Sequence, residues 1–134
     1  MIVNDRCDVA RAAGASGVHL KESGLEVSDA RAWDVGIVGA SCHDARGVAR
    51  RAGADYVTLG PFAEVPGKGP ALGAATFASI VREARMPVLA LGGIDGGTAR
   101  WAVRAGAHGV AVVRAIQGAA DPATETRRIL DVLP

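Results

Sequence analysis

A lysine held between two glycines, Gly67-Lys68-Gly69, within a stretch that also carries Pro61, Pro66 and Pro70, is the most distinctive chemical feature of this chain. Those prolines fix φ and remove backbone donors, and the glycines open conformations closed to other residues, so the stretch is a loop. It is long for a loop, and long loops are often functional. An ammonium with neighbouring backbone N–H groups can meet one anion, although a solvated loop whose lysine only aids solubility has the same residue types. Two further places suit a phosphate. Gly92-Gly93 lets backbone approach a ligand, where a plain tight turn is the alternative, and Val113-Arg114 adds a planar cationic fork. His43, beside Ser41 and Cys42, is the candidate for moving a proton, since imidazole titrates near neutral pH. An isolated histidine can equally be structural. Asn4-Asp5 could hold a hard cation such as Mg²⁺ with help from a substrate phosphate, or Asp5 could simply start a helix.

These residues must be positioned by the elements around them. A phrase recurs three times: Ala13-Gly14-Ala15-Ser16-Gly17-Val18, Ala52-Gly53-Ala54-Asp55-Tyr56-Val57 and Ala105-Gly106-Ala107-His108-Gly109-Val110. Each opens on a glycine suited to a helix C-terminus and passes at once into an apolar strand. The pattern predicts strands near Ile2–Asn4, Gly17–Leu20, Gly36–Ser41, Tyr56–Leu59, Pro87–Leu91 and Gly109–Val113. It predicts helices over Asp5–Ala13, Ser28–Trp33, Asp44–Ala52, Ala74–Arg85 and Asp95–Ala105. A last helix starts at Asp121-Pro122 with Ile129, Leu130 and Leu133 on its buried side, and Ala99, Trp101, Ala102 and Val103 are the apolar positions of the helix before it.

Strands that are apolar on both faces and alternate with helices make a parallel sheet covered by helices. The expected fold class is α/β, a (β/α)₈ TIM barrel that is N-terminally incomplete, with about six βα units in one partial-barrel domain spanning residues 1–134. A closed barrel takes roughly 200 to 250 residues. The sequence is therefore expected to be a fragment, or a barrel closed by another chain, with a homo-oligomer as one form of that. A stable monomer of these residues alone would refute it. In such barrels the strand C-termini carry the chemistry, which here brings Asn4-Asp5, the stretch from His19 to Gly24, Ser41 to His43, the Lys68 loop, Gly92-Gly93 and Val113-Arg114 toward one mouth. His19 and His108 are read as structural.

Composition excludes several classes. The net charge is +1 and aromatic residues make up 4% of the chain, with basic residues scattered singly, which argues against nucleic acid. No apolar run is long enough to span a bilayer, so no membrane role is expected. The two cysteines, Cys7 and Cys42, have no metal spacing and fit a reduced, cytoplasmic protein with no secretory signal.

Six ordered segments carry a family likeness: Ile2-Val3-Asn4-Asp5-Arg6, Gly17-Val18-His19-Leu20, Gly39-Ala40-Ser41-Cys42-His43, Ala54-Asp55-Tyr56-Val57 to Gly60-Pro61, Ala90-Leu91-Gly92-Gly93-Ile94 and Gly109-Val110-Ala111-Val112-Val113. The chain resembles the thiamine phosphate synthase and TenI family over essentially its whole length. The resemblance implies a (β/α)₈ enzyme of thiamine biosynthesis. Its synthases join a pyrimidine diphosphate to a thiazole phosphate with Mg²⁺, and its TenI branch tautomerises the thiazole with no cofactor. By position it implies Asn4 and Asp5 as a substrate and metal pair, Ser41 as a pyrimidine contact and Lys68 as the lysine closing the pyrophosphate loop. Gly93 and Val113 would be donors to the thiazole phosphate, and His43 the acid and base of the tautomerase branch, with Glu64 matching an acidic residue of that branch.

The departures cut against the synthase. Gly24 stands where an acidic metal ligand is usual, Val65 and Gly67 replace two threonines, and Arg114 replaces a serine. A non-catalytic phosphate-ligand-binding barrel is the alternative from another class, and an unrelated phosphate-binding barrel enzyme is disfavoured by the Asn4-Asp5 and Gly60-Pro61 motifs.

Overall fold

Three glycines set the rhythm of the chain. Gly14, Gly53 and Gly106 all sit at positive φ (59°, 95° and 96°), the conformation that ends a helix cheaply and turns the chain into the next strand. The computed structural model describes residues 1–133. In order it contains β1 (Ile2–Asn4), α1 (Cys7–Ala12), β2 (Gly17–Leu20), α2 (Val27–Arg31), β3 (Ile37–Cys42), α3 (Ala45–Arg50), β4 (Tyr56–Leu59), α4 (Gly73–Glu83), β5 (Val88–Leu91), α5 (Thr98–Arg104), β6 (Gly109–Ala111), α6 (Arg114–Gln117) and α7 (Pro122–Leu130). The six strands form one parallel sheet in sequential order, β1 to β6, curled into a half-barrel whose two edge strands are β1 and β6.

The fourth residue of each repeated phrase does the same work with a different side chain. Ser16, Asp55 and His108 donate their backbone N–H to the carbonyls of Met1, Val38 and Val88, at 2.9, 2.8 and 2.9 Å. Their side chains then accept from the nitrogen of that same residue: Ser16 Oγ from Met1, Asp55 Oδ2 from Val38 and His108 Nδ1 from Val88, at 3.1, 2.7 and 3.3 Å. A hydroxyl, a carboxylate and an imidazole thus occupy one structural position, because all it requires is an acceptor facing a backbone nitrogen at the start of a strand. This end of the sheet is opposite the strand C-termini.

Parallel register sorts the strand residues into two faces. Val18, Val38, Leu20, Ala40, Val57, Val88, Leu59 and Ala90 face the helices and are fully buried against residues such as Phe77, Ala99, Ala102 and Ala10. The other, concave face carries the rows Ile2, Gly17, Ile37; then Asn4, His19, Gly39, Tyr56; then Ser41, Thr58, Leu89, Gly109; and last Leu91, Ala111. Ile2 and Ile37 on this face are about two-fifths exposed.

Helix bounds fall within the expected spans save for α2 and α4, each of which begins one residue early, and Asp44 and Asp121 cap α3 and α7 by accepting from Gly47 and Thr124 at 2.7 and 3.0 Å. Three expectations are corrected. Leu130 is 59% exposed, because only Ile129 of that pair points at the sheet. Trp101 is also exposed and lies under the Arg104 guanidinium, 5.2 Å from its ring centre. Finally, β6 ends at Ala111, and a short helix, α6, which the sequence pattern does not reveal, begins at Arg114. No helix among the described residues is long and apolar enough to cross a membrane.

Candidate functional site

The C-terminal ends of β3 to β6 surround a cavity of about 600 Å³. Its wall is contributed by Ser41, Cys42 and His43 after β3, Thr58 to Lys68 around the β4 loop, Leu91 to Asp95 after β5, and Ala111 to Ala115 after β6. Of the sequence-predicted residues, Ser41, His43, Lys68, Gly92, Gly93, Val113 and Arg114 therefore share one hollow. Asn4 and Asp5 do not line it, since they sit at the end of edge strand β1. The expectation that all strand ends converge on one mouth holds for β3 to β6 and fails for β1 and β2, since no residue from His19 to Gly24 lines the cavity either.

Close backbone packing explains why glycine occupies the turns. The β4 loop leaves its strand through Gly60 and lies directly on the end of β5: Phe62 and Ala63 donate to the carbonyls of Leu91 and Gly92 at 2.9 and 3.0 Å. A Cβ on Gly93, whose φ is 67°, would come within 2.8 Å of the Ala63 backbone. The loop is closed at its far end by Leu72 and Gly73 donating back to Pro61 and Phe62, and it is anchored by Phe62 packed edge-on against Phe77. Lys68 hangs from this fixed frame. Neither Lys68 nor Arg114 enters a salt bridge among the described residues, so both cations are available to an anionic ligand.

One part of the expected phosphate cradle is already filled. Asp95 Oδ1 accepts from the backbone nitrogens of Gly97 and Thr98 at 2.9 and 2.8 Å, and Glu125 takes that of Gly96 at 2.7 Å. The start of α5 is thus capped by the protein's own carboxylates. Bonds from Thr98 above all hold the Asp95 carboxyl below its ordinary range. The Gly92-Gly93 and Val113-Arg114 turns are the other backbone that lines the cavity on this side.

His43 stands at the rim, half exposed, with Nδ1 2.8 Å from Glu22 Oε2. That carboxylate orients the ring through Nδ1. Glu22 belongs to the β2–α2 loop, whose shape is set by Arg51. The Arg51 side chain is 1% exposed and donates to the carbonyls of Leu25, Lys21 and Glu22 at 2.5, 2.8 and 2.9 Å, with Glu26 at 3.7 Å. Sequence reasoning passed over both residues. The available signal was an arginine three places after the apolar Val48, just past the end of α3.

His19 lies on the concave face rather than in a purely structural setting. Its Nδ1 is 3.1 Å from Tyr56 Oη and its Nε2 3.0 Å from Ser41 Oγ, and burial lowers its pKa. Thr58, the register partner of Ser41, lines the cavity with a buried hydroxyl that has no partner. Cys42 also borders the cavity, but burial pushes its thiol up to about 11, so it is no nucleophile at neutral pH.

The residues at Asn4-Asp5 do not fit a bound Mg²⁺. Asp5 Oδ1 accepts from the backbone nitrogen of Lys21 and Oδ2 pairs with its ammonium, both at 3.2 Å, so a cation already neutralises the carboxylate. The facing position is Gly24, where even a Cβ would lie 2.5 Å from Asp5 Oδ1. No group of three or more His, Cys, Asp or Glu side chains suited to a metal exists among the described residues. One carboxylate with an ammonium against it is a poor site for a divalent ion.

Comparison with known proteins bears on the same residues. Residues 1–116 match the thiamine monophosphate synthase family. Thiamine-phosphate synthases of Roseiflexus castenholzii and Chlorobium limicola are 41% and 39% identical over 98% of this chain, which covers 61% and 66% of their lengths. The structure of thiamine phosphate pyrophosphorylase from Pyrococcus furiosus superposes with a TM-score of 0.86 at 32% identity, over 98% of this chain and 65% of that one. The chain spans about two thirds or less of the length of these relatives.

Proposed function

Because the chain belongs to the thiamine monophosphate synthase family, we propose that it serves thiamine biosynthesis in the cytoplasm, binding a thiazole phosphate in this cavity and joining it to a pyrimidine diphosphate. The observation that carries the reading is the convergence of the Lys68 loop with the Gly92-Gly93 and Val113-Arg114 turns on one hollow of about 600 Å³, a volume suited to two small phosphorylated rings. Two cationic groups on different walls match two anionic ends. Arg114 and the flanking turns would hold the thiazole phosphate, and Lys68 the pyrophosphate.

In the coupling step the thiazole nitrogen attacks the methylene carbon of the pyrimidine, and the bond from that carbon to the pyrophosphate oxygen breaks. Negative charge grows on the departing pyrophosphate. A preorganised ammonium such as Lys68 stabilises that charge most where water is excluded. Val65 and Gly67 add no side-chain donors there, and the residues at Asp5 do not suit a metal. The chain's own cations therefore carry the leaving group in this reading.

The His43–Glu22 pair favours a second reading, in which the same cavity binds the thiazole phosphate and His43 moves a proton between ring positions. Two further strands supplied from outside the described residues would complete an eight-stranded barrel around either chemistry. Incubating the gene product with both substrates separates the readings. Formation of thiamine phosphate that survives His43→Ala supports coupling. Tautomerisation that His43→Ala abolishes, with no thiamine phosphate formed, supports proton transfer, and ligand binding without turnover in either assay overturns both in favour of a binding protein.

A further inference from the structure

On the concave face of the sheet, three side chains from three strands form one hydrogen-bonded line, Tyr56 on β4, His19 on β2 and Ser41 on β3, of which Ser41 borders the cavity. Their meeting depends on Gly39. It lies between His19 and Tyr56 in the same row of the sheet, and a Cβ there would sit 2.2 Å from the Tyr56 ring. The missing side chain opens the gap through which the imidazole and phenol stack, with ring centres 5.5 Å apart. Directly beside Ser41, at the register-paired position of β4, is the Thr58 hydroxyl, 6% exposed as a residue and without any hydrogen-bond partner. An unmatched hydroxyl is costly in a folded interior, and here it borders the cavity that a ligand would enter.

We infer that His19 is a positioning residue, which accepts the Tyr56 proton at Nδ1 and donates from Nε2 to Ser41, so that the Ser41 hydroxyl points its own proton into the cavity beside Thr58. A neutral imidazole donates from one nitrogen and accepts at the other, so the line has only two directions. Phenol is the stronger acid of the two hydroxyls, which places the Tyr56 proton toward the ring. The surroundings keep the ring neutral, since desolvation opposes its charging. Ser41 is then a donor, while Thr58 can accept. The two are register neighbours on adjacent strands, and a donor beside an acceptor is complementary to a ring nitrogen flanked by an exocyclic amino group. Resting on the function proposed above, this assigns the amino-pyrimidine edge to Ser41 and Thr58 together, and gives His19 and Tyr56 the task of setting the direction.

The test has an arm that needs no ligand. Nitrogen-15 spectra of histidine-labelled gene product should show His19 protonated at Nε2 and bare at Nδ1, and Tyr56→Phe should change that balance. A ring protonated at Nδ1, or one indifferent to Tyr56→Phe, overturns the relay whatever the enzyme does. The second arm measures binding of the pyrimidine diphosphate and, separately, of inorganic pyrophosphate. Thr58→Val and His19→Leu should each weaken the former about tenfold, the worth of one hydrogen bond, and leave the latter within about twofold. Thr58→Ser and His19→Gln should restore most of the loss. Equal losses for both ligands would mean a merely structural role, and wild-type affinity in Thr58→Val would remove Thr58 from the site. A wild type that binds neither ligand refutes the proposed function, while the spectra still decide the relay.

Discussion

Arg51→Met is the substitution from which the structure predicts most. Methionine keeps much of the stem that fills the space under the β2–α2 loop but removes the guanidinium. Three carbonyls, those of Leu25, Lys21 and Glu22, lose a charged donor together, and Glu26 loses its neighbour. Hydrogen bonds to charged groups contribute about 1.5–3 kcal/mol each when measured singly. The sum is an overestimate here, for two reasons. Arg51 Nε is itself buried without a partner in the wild type, and Lys21 and Leu25 are exposed, so water can reach part of what the guanidinium leaves. The expected loss is about 3 kcal/mol, the lower end for removing one partner of a buried charge pair. With a urea slope of about 2 kcal/mol/M for a chain of this size, the unfolding midpoint should fall by about 1.5 M. Arg50→Met is the matched control. Its half-exposed side chain faces the same loop, and it should cost under about 1 kcal/mol. Equal losses for the two variants would refute the claim that the buried guanidinium holds the loop. Because that loop carries Glu22, the Arg51 variant should also lose the ordering of His43, visible as narrowing of its ring resonances toward those of a free side chain.

Three further outcomes follow from the same structure. The wild type should hold no Mn²⁺ at Asp5 in electron paramagnetic titrations, whereas the double variant Lys21→Gly, Gly24→Asp, which removes the ammonium so that the Asp5 carboxylate can swing off the new Cβ and adds a second carboxylate, should gain a site; Mn²⁺ binding by the wild type that Asp5→Asn abolishes would show the metal assignment to be right after all. The Asp5 carboxyl is held below its ordinary range chiefly by the Lys21 backbone N–H, so its contribution to stability is present above about pH 4 and lost as pH falls through the folded value. Asp5→Asn should therefore be less stable than wild type at pH 6 and converge with it only as pH falls below the folded value, in urea midpoints, and a gap that stays constant with pH contradicts this. Cys42, with its thiol pushed up to about 11, and Cys7, also raised by burial, should resist iodoacetamide at pH 8 until the chain unfolds. Rapid labelling of the native protein would show that the cavity wall opens.

Local chemistry made much of this protein readable from its residues in order. The three Ala-Gly-Ala phrases announced helix-to-strand joints because a left-handed glycine and an apolar strand are properties of neighbouring residues, and strands apolar on both faces implied a parallel sheet. The cavity-lining turns followed from the strand ends, since chain direction in a parallel sheet puts every strand end on one side. Tertiary packing decided the rest. Whether Lys21 would neutralise Asp5, whether Glu125 would take the Gly96 N–H before a phosphate could, and whether His19 would reach Tyr56 across Gly39 all depend on strand register and loop path, which bring together residues 16 to 37 positions apart. Side chains that far along the chain leave no mark on local periodicity, so a histidine inside a strand and an arginine at a helix end looked ordinary until the fold showed what each one touches.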